Sequence, residues 1–151
     1  MEFIQSHLVL ITPFVAAGIA QSYKIYRKSL KHGLSWRDFA TFTYAGMPSG
    51  HTALVSSTVT IIALTEGLYS TIFAFSFVFA MIVINDALRL RKYLGQHGEV
   101  LNDLVKDLRD DSVLELRYPR LLEKIGHTKL EVIAGATLGI VISFISYLIF
   151  A

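Results

Sequence analysis

Gly46-Met47-Pro48-Ser49-Gly50-His51-Thr52, followed by an apolar run that reaches Thr65, is the stretch whose reading decides the fold. It reads as a tight turn of small residues feeding the first turn of a helix. Pro48 suits a helix start, because the amide it lacks would be unpaired there anyway. The amides of Ser49 and Gly50 then point outwards at the positive end of the helix dipole, where they can hold an anion. His51 stands one step inside. From Pro48 to Thr65 the helix rises about 27 Å, close to the roughly 30 Å of a bilayer core. Taken alone, Pro-Ser-Gly-His is equally an ordinary helix start with an incidental histidine, so the flanking chain has to decide.

Outside this stretch the chain stays apolar. Hydrophobic residues make up 53% of its 151 positions and the mean hydropathy is +0.51, too apolar for an ordinary soluble domain of this size. We therefore expect one all-α integral membrane domain over residues 1–151: a bundle of about four transmembrane helices, with spans near residues 3–20, 48–65, 71–88 and 131–150. The N-terminus shows no signal-peptide pattern, so anchoring is expected from spans that stay in place. Cysteine is absent, which excludes a disulfide framework, a thiolate metal site and a cysteine nucleophile. The net charge of +2 gives no reason to expect a nucleic-acid partner.

The first run, Phe3 to Ala20, carries Pro13 in its middle. Gln21 to Asp38 is polar and basic, with Lys24, Arg27, Lys28, Lys31 and Arg37, and with Trp36 where an interfacial aromatic belongs. After the second span, Glu66-Gly67-Leu68-Tyr69-Ser70 is a short turn, and Thr71 to Ile84 is charge-free until Asp86, Arg89, Arg91 and Lys92. Residues 92–126 form the one sizeable polar segment. In it Val100, Leu101, Leu104, Val105 and Leu108 recur at helical spacing opposite Asp103, Asp107, Asp110 and Asp111, as in an amphipathic helix on a membrane surface. Tyr118-Pro119 breaks that pattern. The last span carries Gly135, Gly139 and Ser143 at four-residue spacing, which suits close helix packing in lipid.

Four spans in sequence bring the end of the first, the start of the second, the end of the third and the start of the fourth to one membrane face. All 14 Lys and Arg residues fall on that face, and positive charge marks the cytoplasmic side. The same parity gathers Lys24, Ser49, Gly50, His51, Arg89, Arg91, His127 and Glu131. Two histidines, several cations and a helix N-terminus are what metal-free phosphoryl transfer requires: one imidazole attacks phosphorus, the other protonates the leaving oxygen, and fixed positive groups hold the remaining oxygens. Glu131 lies one helical turn beyond His127 and can bond one ring nitrogen, leaving the other nucleophilic. Thr128-x-x-Glu131 is equally a capping box, and the basic residues are equally lipid anchors.

These residues resemble a known family. Pro48-Ser49-Gly50-His51 looks like the second signature of the type-2 phosphatidic acid phosphatase and vanadium haloperoxidase superfamily, and His127-x-x-x-Glu131 looks like the third, whose last residue is usually Asp. Gly46-Met47-Pro48-Ser49, Asp86-Ala87 with Arg91-Lys92, Glu99-Val100-Leu101-Asn102 and Gly126-His127-Thr128 with Leu130-Glu131-Val132 are similar to its small divergent bacterial branch. The resemblance implies hydrolysis through a phosphohistidine without metal or other cofactor. His127 would be the nucleophile, Glu131 its orienting partner and His51 the general acid, with Lys24, Arg91, Arg89 and the amides of Ser49 and Gly50 around the phosphate. Asp86 is assigned either a structural or a catalytic part. The chain departs from the pattern at two places. Lys31-His32 replaces the Arg-Pro of the first signature, and Leu121, beside Arg120, stands where the third has Arg.

A site on the cytoplasmic face with no soluble domain points to a lipid phosphate of the inner leaflet, such as a phosphatidylglycerophosphate- or phosphatidate-like lipid; polyprenyl pyrophosphate is the alternative substrate. Two rival functions remain: a non-catalytic lipid-binding scaffold, and a magnesium-dependent transferase resembling the CDP-alcohol phosphotransferases through Asp86, Gly95, Glu99 and Asp103, since such oxygen ligands suit magnesium.

Overall fold

The computed structural model describes residues 2–32, 46–107, 121–123 and 125–150. Among them the chain is all helical: α1 (Glu2–His32), α2 (Gly50–Thr65), α3 (Thr71–Asn85), a π-helical turn (Asp86–Leu90), α4 (Arg91–Asp107) and α5 (Lys129–Phe150). Among the described residues three stretches are long and apolar enough to cross a membrane: His7–Arg27, Thr71–Lys106 and Lys129–Phe150. The fold is an all-α membrane bundle.

Two helices run on past the ends expected for the spans. The first helix does not end near Ala20 but runs on to His32, so Lys24 is carried on a continuous helical rod. The amphipathic segment expected after the third span is α4, and it follows α3 without a break in the helix. Backbone hydrogen bonding continues through the π-turn into α4, because Asn85 to Arg91 contain no Gly or Pro to stop it. Tyr118, Pro119 and Arg120 lie outside the described residues.

Helix α2 has 16 residues and rises only about 24 Å. It is also the central one, packed against α1, α3 and α5. Its contact with α5 is a seam of small residues. A Cβ on Gly135 would collide with the Ser49 carbonyl, and one on Gly139 with the Ala53 carbonyl. One turn further, Ser57 and Ser143 hydroxyls lie 2.8 Å apart, and Ser143 Oγ also bonds the Ser57 carbonyl at 3.0 Å. Small residues let the backbones approach, and the hydroxyls find partners inside the pair, as packing in lipid demands. The pairing of 49 with 135, 53 with 139 and 57 with 143 makes α2 and α5 parallel, so both helices begin at the same end of the bundle.

Candidate functional site

That shared end is where the chemistry-bearing residues collect. Ser49 caps α2: its hydroxyl accepts from the Thr52 amide at 3.4 Å and from the Thr52 hydroxyl at 2.9 Å. Such a cap is worth about 1 kcal/mol. Pro48 sits just before the cap rather than in the first turn. The Ser49 amide donates to the main-chain carbonyl of Glu131 at 2.9 Å, and Ser49 is fully buried. Its N–H is thereby committed to α5. Among the described residues the amides of Gly50 and His51 have no acceptor, so these are the donors left at the helix N-terminus.

Lys24 of α1 arrives beside them. A Cβ on Gly46 would lie 3.4 Å from Lys24 Cδ, and one on Gly50 would lie 3.9 Å from Lys24 Nζ. Glycine at both positions keeps the lysine stem close to the main chain of the turn. Gly46 also needs its glycine for conformation, with φ at +129°.

His127 comes in from the other side. The segment before it lies along α4: the Asn102 side chain donates to the Leu121 carbonyl and to Glu123 Oε1, both at 2.9 Å, and accepts from the Leu121 amide at 3.0 Å. Cβ atoms on Gly95 or Gly98 would strike the main chain of Glu123 or Leu122. The segment then reaches the π-turn, where the His127 amide donates to the Ala87 carbonyl at 3.1 Å. The His127 side chain is 1% exposed, and its Nδ1 lies 3.1 Å from Glu131 Oε2.

Glu131 does both things its spacing allows. The same Oε2 accepts from the Thr128 amide at 2.9 Å, while the Glu131 amide donates to Thr128 Oγ1 at 3.3 Å. The capping box and the histidine contact therefore coexist. Glu131 also ties the two histidine-bearing segments together, by its carboxylate to His127 and by its carbonyl to Ser49.

On the π-turn, Arg91 Nε donates to Asp86 Oδ2 at 2.7 Å. His51 is exposed, within electrostatic reach of Arg91, His127, Lys24 and Asp86, and Lys24 is within reach of Glu131. The structure thus brings together Lys24, Gly50, His51, Asp86, Arg91, His127 and Glu131. Arg89 is exposed and, among the described residues, makes no ion pair or hydrogen bond into the group. The carboxylates named for the transferase alternative do not gather either, since no group of three His, Asp or Glu suited to a metal ion occurs among the described residues. Sequence reasoning overlooked Asn102 as the clamp and Ala87 as an anchor. A polar residue on an amphipathic helix does not reveal its partner, and a main-chain carbonyl has no sequence signal.

A family model described as the Divergent PAP2 family matches residues 5–142. The uncharacterized membrane protein YuiD of Bacillus subtilis (strain 168) is 34% identical over 155 residues, covering 96% of this chain and 96% of the relative. No solved structure matches the chain.

Proposed function

This chain belongs to the Divergent PAP2 family, and on that premise we propose that it is a membrane lipid phosphate phosphatase working through a phosphohistidine. The observation that carries the reading is the pair His127 Nδ1 and Glu131 Oε2 at one end of the bundle, with His51, Lys24 and Arg91 around it. An Nδ1 proton shared with the carboxylate leaves the lone pair on Nε2. Nε2 attacks phosphorus, the bond from phosphorus to the ester oxygen breaks, and protonated His51 gives its proton to the departing alkoxide. Water then attacks the phosphohistidine with His51 as base, releasing phosphate and restoring His127. Lys24, Arg91 and the free amides of α2 meet the phosphoryl oxygens as charge builds. Asp86 keeps the Arg91 guanidinium in place through its bond to Nε.

The substrate follows from sidedness. With basic residues marking the cytoplasmic face, the site meets lipid of the inner leaflet, which favours a phosphatidylglycerophosphate- or phosphatidate-like monoester over polyprenyl pyrophosphate. The chain has no native cysteine, so single cysteines at Glu66 and Lys106 give a clean test. An impermeant thiol reagent applied to intact cells should label the first and spare the second; labelling of Lys106→Cys alone reverses the substrate preference.

Catalysis is tested with purified protein and lipid phosphates in EDTA. Phosphate release is expected, blocked by vanadate and lost in both His51→Ala and His127→Ala. The burial of His127 favours a second reading, a lipid-binding protein whose polar groups only join helix ends. Absence of turnover on every lipid phosphate, with lipid still bound, would establish that reading instead.

A further inference from the structure

The π-turn and the placement of His127 are two halves of one arrangement. In an α-helix the amide of Arg91 bonds the carbonyl of Ala87, four residues back. Here it bonds Asp86, five back, so the Ala87 carbonyl loses its usual partner in the helix. That carbonyl is the acceptor of the His127 amide. Ala87 is 1% exposed, so water is a poor substitute, and a buried main-chain carbonyl needs a partner. The turn supplies an acceptor and the incoming segment supplies its donor.

The same turn sets Arg91. On an α-helix, residues five apart lie about 140° apart around the axis, too far for the short contact from Arg91 Nε to Asp86 Oδ2. The wider π geometry closes that gap. One local insertion in the helix ladder therefore fixes both the main chain of His127 and the guanidinium beside it. Gly126 makes the approach possible, since a Cβ there would lie 2.9 Å from both N and Cα of Lys92.

We propose that the π-turn Asp86–Leu90 is the positioning element of this site: it releases the Ala87 carbonyl to anchor His127 and holds Arg91 at the matching place. Its catalytic consequence rests on the phosphatase reading, whereas the anchor itself does not. Single π-helical turns of this kind recur at functional sites.

Two changes reach the anchor by different routes. Deleting Leu90, an exposed residue of the turn, restores α-helical spacing and returns the Ala87 carbonyl to the Lys92 amide. Gly126→Ala keeps the turn but pushes the segment off it. Both are made in the full chain in lipid nanodiscs and read by hydrogen exchange at the His127 amide together with kcat and KM. Each change should abolish protection of that amide and lower kcat about 100-fold, the scale of an ångström-level misplacement, while KM moves less than about threefold. Protection unchanged in both variants overturns the proposal whatever activity does, as does protection lost in both with kcat kept. An inactive wild type whose His127 amide is protected and loses that protection in both variants retires the phosphatase reading and supports the anchor.

Discussion

The two histidine-bearing regions are built in opposite ways. Around His51 the side-chain bonding is local: Ser49 caps the helix that His51 belongs to, and the imidazole is exposed. Around His127 it is tertiary. Asn102 from α4 clamps the approach, Ala87 takes the amide, and the side chain is buried against Glu131. A proton donor that must also admit water benefits from exposure, whereas a nucleophile benefits from a fixed orientation away from solvent. The contrast agrees with the roles proposed for the two histidines.

The largest effect should separate those roles by leaving group. His127→Ala removes the atom proposed to bond phosphorus, so no phosphoenzyme should form and turnover of every substrate should fall to background. His51→Ala removes only proton transfer, worth typically 10²–10⁴. It should lose about that factor on a lipid monoester, whose alkoxide needs a proton, and much less in phosphoenzyme formation from p-nitrophenyl phosphate, whose leaving group does not. Rapid-quench trapping of labelled protein checks this. Equal losses on both substrates would break the contrast, and phosphoenzyme in His127→Ala would reverse it.

The same contrast explains what could be read from the chain. Pro48-Ser49-Gly50-His51 was legible because caps and turns act within a few residues, and the Gly135, Gly139 and Ser143 stripe was legible because its spacing alone dictates close packing. The length of α1 was not. Lys24 and Arg27 look like an interface, yet long basic side chains continue a helix without breaking it. The commitment of the Ser49 amide to Glu131 was hidden too, since a main-chain bond between distant residues depends on the packing of α2 on α5. At His127 the chain disclosed the histidine and its carboxylate, one helical turn apart, but not the long-range bonds of Asn102 and Ala87 that place them.

Glu131 is where the two regions meet, and a smaller effect should show which of its bonds matters. Its carbonyl holds Ser49 and its Oε2 serves both Thr128 and His127. Glu131→Gln leaves the carbonyl untouched and keeps an oxygen for the Thr128 amide, because Gln completes a capping box as Glu does. Only the charge beside Nδ1 is lost. In the proposed mechanism that charge stabilises the imidazolium-like state of His127 as its other nitrogen bonds phosphorus, and loss of such an orienting partner typically costs 10–100-fold at metal-bound histidines, a fair scale here. We expect kcat to fall by about that factor while the thermal midpoint stays within about 2 °C of the parent, below the shift that 1 kcal/mol produces in a domain of this size. A drop in the midpoint matching the drop in kcat would mean that the carboxylate serves the helix start rather than the histidine. Activity retained in Glu131→Gln would shift the orientation of His127 to its main-chain anchor at Ala87.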